Sequence, residues 1–140
     1  VIPSGIYKEK INIAKKNLTL VGDGFVTLTY DAASGNCDEN GVEYNTFTSA
    51  TVTVEETAVG FKAENITFEN SYNRIDSDRA VTQALAISCG ADKSVFHHCN
   101  FLGWQDTMYI HGSENAIDVT STQEYIHIFL IINYKMHMRV

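Results

Sequence analysis

The chain has 140 residues, 44% of them hydrophobic and 19% charged, with a formal net charge of −7. That length and balance suit one globular domain with a sizeable core and exclude a disordered chain. The negative charge argues against nucleic acid or an anionic membrane as partner, and a strongly anionic polymer would be repelled too, unless its charges were masked by esterification.

A single proline, Pro3, and the lack of a Gly/Ser-rich linker give no internal boundary. The chain opens on Val1-Ile2-Pro3-Ser4-Gly5 without a signal peptide, which reads as the middle of a longer sequence. Ile11 and Ile13, then Leu18 and Leu20, alternate with polar residues up to the turn Gly22-Asp23-Gly24. Two short strands and a glycine turn are the plain reading. A phosphate-loop reading fails for want of a third glycine and a following helix.

After Val26 to Tyr30, the polar stretch from Asp31 to Asn45 reads as a long surface loop. Its acids, Asp38 and Glu39, lack the alternating ligand spacing of a calcium loop. Strand-like segments follow at Thr48–Val54, Gly60–Asn70, Gln83–Ile87 and Val95–Phe101, with a polar connection from Ser71 to Arg79. Asn100 to Ile110 suits a short buried strand carrying Gln105 and Asp106, with Trp104 and Tyr109 close by. Beyond it, Ser113 to Val140 does not continue the pattern; its apolar run, Tyr125 to Tyr134, is too short and too polar at its edges to span a bilayer.

The segments repeat. Phe61 to Phe96 and Asn65 to Asn100 are the same interval, and Asn17-Leu18-Thr19-Leu20 resembles Asn65-Ile66-Thr67-Phe68. Short β-branched strands recurring with turns of variable length suggest coils of a solenoid, with each asparagine taking a left-handed bend. A β-sandwich would show more two-residue hairpin turns, and the clear one, Asn40-Gly41, lies inside the long loop. A parallel β-helix is therefore expected.

Three cysteines, Cys37, Cys89 and Cys99, support neither a disulfide framework nor a zinc site; two buried free thiols, or a Cys89–Cys99 bridge, are the alternatives. His97 and His98, adjacent on a strand, should point to opposite faces, one outward and one into a hydrogen-bonded interior. Lys15-Lys16 reads as a solvated turn. Asn17-Leu18-Thr19 and Asn65-Ile66-Thr67 match the glycosylation pattern but fall on expected strands, which argues against their use. Ser49 and Ser88 lack a nucleophile-elbow context. Asp106 among aromatic groups could have its pKa raised enough to donate a proton, or could be a turn residue satisfying backbone groups. Gln83 and Gln105 are about one coil apart, which would bring two amides beside Asp106 and suit an oxyanion.

Gln105-Asp106-Thr107-Met108-Tyr109, preceded by Gln83-Ala84-Leu85-Ala86 and Thr46-Phe47-Thr48-Ser49-Ala50-Thr51, resembles the pectin methylesterases (pectinesterases). Gly5-Ile6-Tyr7-Lys8-Glu9, Leu20 to Gly24 and Phe61 to Asn70 match in the same order, so the resemblance covers residues 1–112 and leaves 113–140 as a divergent tail. It implies a truncated, all-β, right-handed single-stranded parallel β-helix that hydrolyses methyl esters of polygalacturonate (pectin), secreted to the cell wall, monomeric, and using no metal or organic cofactor. It makes Asp106 the general acid/base, Gln105 and Gln83 the oxyanion donors, and Thr46 and Gln83 contacts to the sugar chain; Trp104 and Tyr109 are candidate sugar platforms. The family's nucleophilic aspartate belongs to a later Asp-Phe-Ile-Phe-Gly motif that this sequence lacks, and the setting of Asp118 does not match it. A non-catalytic carbohydrate-binding solenoid is the alternative. A β-helical lyase or glycosidase ranks last, since Asp106 alone has a cleft context.

Overall fold

The structure is a computed structural model that describes residues 1–72 and 82–111, together with the backbone of 117–120 and 136–139. Its strands are β1 (Ile2–Lys8), β2 (Ile11–Ile13), β3 (Thr19–Tyr30), β4 (Val52–Val54), β5 (Lys62–Glu64), β6 (Thr67–Asn70), β7 (Ile87–Cys89), β8 (Val95–His97), β9 (Asn100–Leu102), β10 (Met108–Ile110), β11 (Ile117–Thr120) and β12 (Met136–Arg139). Every strand-to-strand pairing among them is parallel. With no helix among the described residues, the chain winds into a right-handed parallel β-helix.

Each coil visits three faces in turn. The first holds β1, the end of β3, β6 and β9. The second holds β2, β4, β7 and β10. The third holds the start of β3, β5, β8, β11 and β12. The long β3 turns the corner between the third and first faces at Gly22 to Gly24. There Gly24 has φ 86°, and a Cβ on Gly22 would lie 2.1 Å from the Asn65 carbonyl oxygen of the next coil. Only glycine permits that approach.

Alternation along each strand stacks like residues on like. On the second face Ile11, Val52, Ile87 and Met108 form one inward column, and Ile13, Val54, Cys89 and Ile110 another. Phe68 stacks on Phe101 at 5.5 Å and 9°, and Phe96 meets Phe61, Phe68 and Phe101 edge-on at 5.6–5.9 Å. All four rings are buried. Burial of each contributes on the order of 1.5–3 kcal/mol, with edge-to-face pairs adding about 1 kcal/mol.

The coil register differs from the interval read in the sequence. Ala63, rather than Phe61, is opposite Phe96, and Thr67 is opposite Asn100. What repeats at the corners is backbone handedness more than asparagine. Asn17, Gly60 and Lys93 stack at the corner from the second face to the third, with φ 54°, 77° and 57°. Asn65 and His98 stack at the corner from the third face to the first, with φ 56° and 52°. Asn17 and Asn65 thus occupy different corners and lie outside strands.

His98 escapes strand alternation for the same reason. Both histidines are exposed, their rings 3.8 Å apart, where one was expected inside. The stretch from Asn100 to Ile110 is likewise two strands, β9 and β10, joined by a bend in which Asp106 has φ 54°. The long loop carries the expected hairpin turn at Asn40-Gly41: Cys37 and Glu43 form an antiparallel bridge, and the Asp38 carboxylate accepts from the Asn40 and Val42 N–H groups. Cys89 and Cys99 are buried free thiols, and Cys37 is an exposed one. Beyond residue 112, β11 pairs with β8 and β12 with β11, extending the third face. The apolar run Tyr125 to Tyr134 and most of the Ser71–Arg79 connection lie outside the described residues.

Candidate active site

Three successive connections run from the first face to the second, and every candidate residue except Tyr109 belongs to one of them. Thr46 is in the first (31–51), Gln83 in the second (71–86), and Trp104, Gln105 and Asp106 in the third (103–107). Main-chain bonds stack them: Thr51 N–H donates to the Leu85 carbonyl at 3.0 Å, Ala84 N–H to the Gln105 carbonyl at 3.1 Å, and Ala86 N–H to the Thr107 carbonyl at 2.8 Å. Gln83 and Gln105 therefore lie on adjoining coils, with Ala84 directly beside Gln105.

Side chains tie the same layers together. The Ser49 hydroxyl donates to the Thr46 carbonyl at 2.6 Å and accepts from the Leu85 N–H at 3.2 Å. Buried Asn70 donates through Nδ2 to the carbonyls of Ala32, Leu85 and Ser49 at 2.8, 3.0 and 3.3 Å, and its Oδ1 accepts from Tyr72 N–H. The Gln83 carbonyl accepts from Ser34 N–H, and the single Thr82 hydroxyl hydrogen faces both the Ser34 carbonyl at 3.1 Å and the Gln83 Oε1 at 3.3 Å. Around Thr46, the Asn45 carboxamide oxygen accepts from Phe47 and Thr48 N–H, fixing a single turn that presents Thr46 and Phe47.

Asp106 is half-buried, and burial pushes its carboxyl above its ordinary value. That favours the protonated form and suits a proton donor. Its left-handed backbone is tolerated by aspartate better than by most residues.

The outer surface of the second face carries a cleft of about 550 Å³, lined among others by Lys10, Asn12, Phe47, Thr53, Ser88, Tyr109 and His111. Asn12, Thr53, Ser88 and Tyr109 are register partners, forming one outward ladder. The Phe47 and Tyr109 rings are 5.1 Å apart, and Tyr109 stacks on His111 at 4.8 Å. Trp104 is 46% exposed nearby in the chain. Tyr109 lines the cleft, whereas Gln83, Gln105 and Asp106 sit outside its lining. At one wall Lys10 donates to the Thr48 and Ala50 carbonyls, with its ammonium over the Tyr30 and Tyr44 rings; burial lowers its pKa to about 8.

Ser49, Asn70, Phe47 and Lys10 were not singled out as site residues from the sequence. Phe47, an aromatic beside Thr46, is the one with a local signal. No group of three or more His, Cys, Asp or Glu among the described residues could hold a metal ion. Asp118 lies on β11, in the third face beside Val95, away from the face that follows Asp106.

Fold and site together define a single-stranded right-handed β-helix with a carboxyl, amides and aromatics gathered along one corner and the adjoining face. The pectinesterase family model matches residues 1–127, and the chain belongs to that family. It is 35% identical over 114 residues to a pectinesterase of Daucus carota, covering 80% of this chain and 32% of that protein. It is 40% identical over 113 residues to the pectinesterase/pectinesterase inhibitor PPE8B of Prunus persica, covering 79% and 19%. Among solved structures, carrot pectin methylesterase matches with TM-score 0.65 at 33% identity, covering 85% of this chain and 34% of that one. A pectin methylesterase in complex with a hexasaccharide matches with TM-score 0.74 at 25% identity, covering 98% and 42%. The chain thus spans about a third or less of the length of the first curated relatives it matches.

Proposed function

We propose that this chain is the part of a pectin methylesterase that grips methyl-esterified polygalacturonate and carries the acid and oxyanion donors of the reaction. The observation that supports this is the stacking of three connections, which sets Gln105 and Asp106 one coil from Gln83, in the connection that leads into β10 and its cleft residue Tyr109. Asp106, protonated, gives its proton to departing methanol and then, as the carboxylate, takes one from the water that attacks next. The Gln105 and Gln83 amides donate to the tetrahedral oxyanion. Thr46, Gln83, Trp104 and Tyr109 contact the sugar chain.

The attacking carboxylate is the element this sequence does not supply. The Asp-Phe-Ile-Phe-Gly motif is absent, and Asp118 sits on another face. An acid and oxyanion donors without a nucleophile leave weak catalysis. The chain as it stands is expected to bind pectin and turn it over little, outside the cell, as a monomer and without a cofactor. Methanol release from highly esterified pectin by the purified chain tests this. Turnover near that of full-length family members, abolished by Asp106→Ala, would refute it and require another nucleophile.

The exposure of Trp104 and the Phe47–Tyr109 pair favour a second reading, a carbohydrate-binding solenoid with no chemistry of its own. Pectin affinity that is lost in Trp104→Ala, with no Asp106-dependent release of methanol, supports that reading over the first.

A further inference from the structure

The two Asn-X-Thr sequences of the chain sit where a strand reading would not put them. Asn17 and Asn65 are both exposed and both left-handed, at the two corners other than the one that holds the candidate site. We infer that Asn17 and Asn65 are acceptor sites for N-linked oligosaccharide, carried on the two corners that leave the cleft open.

The geometry favours a bulky substituent at both places. A left-handed corner residue turns its side chain out of the inter-strand ladder, so a glycan there displaces no sheet partner and enters no core. The main chain stays paired beneath it, with Asn17 N–H donating to the Val59 carbonyl and Asn65 N–H to the His97 carbonyl. Gly60, stacked under Asn17, lacks the Cβ that would come 2.5 Å from the Asn17 Oδ1, so the carboxamide has room. Beside Asn65 is a shallow hollow of about 360 Å³ that it shares with Gly24, Phe25 and His98. Phe25 is 68% exposed there, an apolar ring on which the first sugar can rest. The X residues, Leu18 and Ile66, are not proline, as the motif requires.

In the reaction, Nδ2 of the asparagine attacks the anomeric carbon of a lipid-diphosphate-linked oligosaccharide. The N–C bond forms, the C–O bond to the diphosphate breaks, the lipid diphosphate leaves, and the amide proton goes to a base of the transferase. The inference rests on the extracellular part of the reading above, because the donor is met only on the secretory route. The test supplies that route itself, so it is independent of pectin turnover.

The full chain is expressed behind a cleavable secretion leader in a eukaryotic host, with one reporter Asn-Gly-Thr added at the C-terminus to mark entry into the secretory route. Glycan is read on membrane-protected and exported material alike by endoglycosidase shift, and by peptide mass after enzymatic release in ¹⁸O water. Wild type should lose two steps of mobility beyond the reporter, Asn17→Asp and Asn65→Asp one each, and the double variant none; Thr67→Ser, which keeps the motif, should retain both. Aspartate keeps the left-handed corner, which separates loss of the acceptor from loss of the fold. A modified reporter with unmodified Asn17 and Asn65 peptides overturns the inference, and occupancy at one alone overturns it for the other corner.

Discussion

Asn70 is the residue whose removal should cost most for its size. Two Nδ2 hydrogens are shared among the carbonyls of Ala32, Leu85 and Ser49, and Oδ1 holds Tyr72 N–H, all in a site 2% exposed. Asn70→Ala removes about three net hydrogen bonds of about 1 kcal/mol each and leaves their partners buried, for roughly 3 kcal/mol in all. In a domain of this size that lowers Tm by about 10 °C. Asn70→Asp sharpens the argument. Its carboxylate would face carbonyl oxygens, so the folded-state pKa lies above the unfolded value of about 3.9, and the folded state binds the extra proton. The stability of that variant is therefore greatest below the unfolded pKa and falls as pH rises through the folded pKa. Thermal unfolding by circular dichroism at pH 4 and pH 7, each against wild type at the same pH, measures both effects. An Asn70→Ala midpoint within about 2 °C of wild type, or an Asn70→Asp deficit larger at pH 4 than at pH 7, would show that Asn70 does not hold these coils together.

Other outcomes follow from the same geometry. Gly22→Ala puts a methyl 2.1 Å from the Asn65 carbonyl oxygen, a main-chain atom that cannot swing aside, and should cost on the order of 1–3 kcal/mol in denaturant unfolding. Phe96→Ala empties the centre of the aromatic cluster and should cost about 3–5 kcal/mol, read in the same assay as a lower midpoint with little change in slope. Thiol titration of the native chain should find Cys37 reactive and the other two silent until denaturant is added. Burial raises both Cys89 and Cys99, the latter to about 12, and hides their sulfurs. Ser49→Ala unlinks the Thr46 carbonyl from the Leu85 N–H; pectin affinity should fall by roughly tenfold, equivalent to about 1.4 kcal/mol by isothermal titration, if the two connections must be held together to bind.

The sequence by itself determined roughly where most strands between Ile11 and Phe101 fall, because period-two alternation such as Val52-Thr53-Val54 is a local property of each segment. It determined the parallel solenoid, because the segments recur without hairpin turns. In contrast, β1, the break between β9 and β10, and β11 and β12 were not legible in it. It also named Gln83, Gln105 and Asp106, through motifs that survive without any knowledge of register. Register was decided only in three dimensions. Asn65 aligns with His98 and Asn17 with Gly60, because strands of three residues slide to wherever side-chain columns and corner turns fit best. The same holds for the site's framework. Asn70, Ser49, Lys10 and the Phe47–Tyr109 pair act on residues many positions away, and a contact between coils leaves no periodic trace in a single chain. What stacking alone settles is which residues become neighbours, since that depends on the length of every intervening connection and on packing summed over the whole prism.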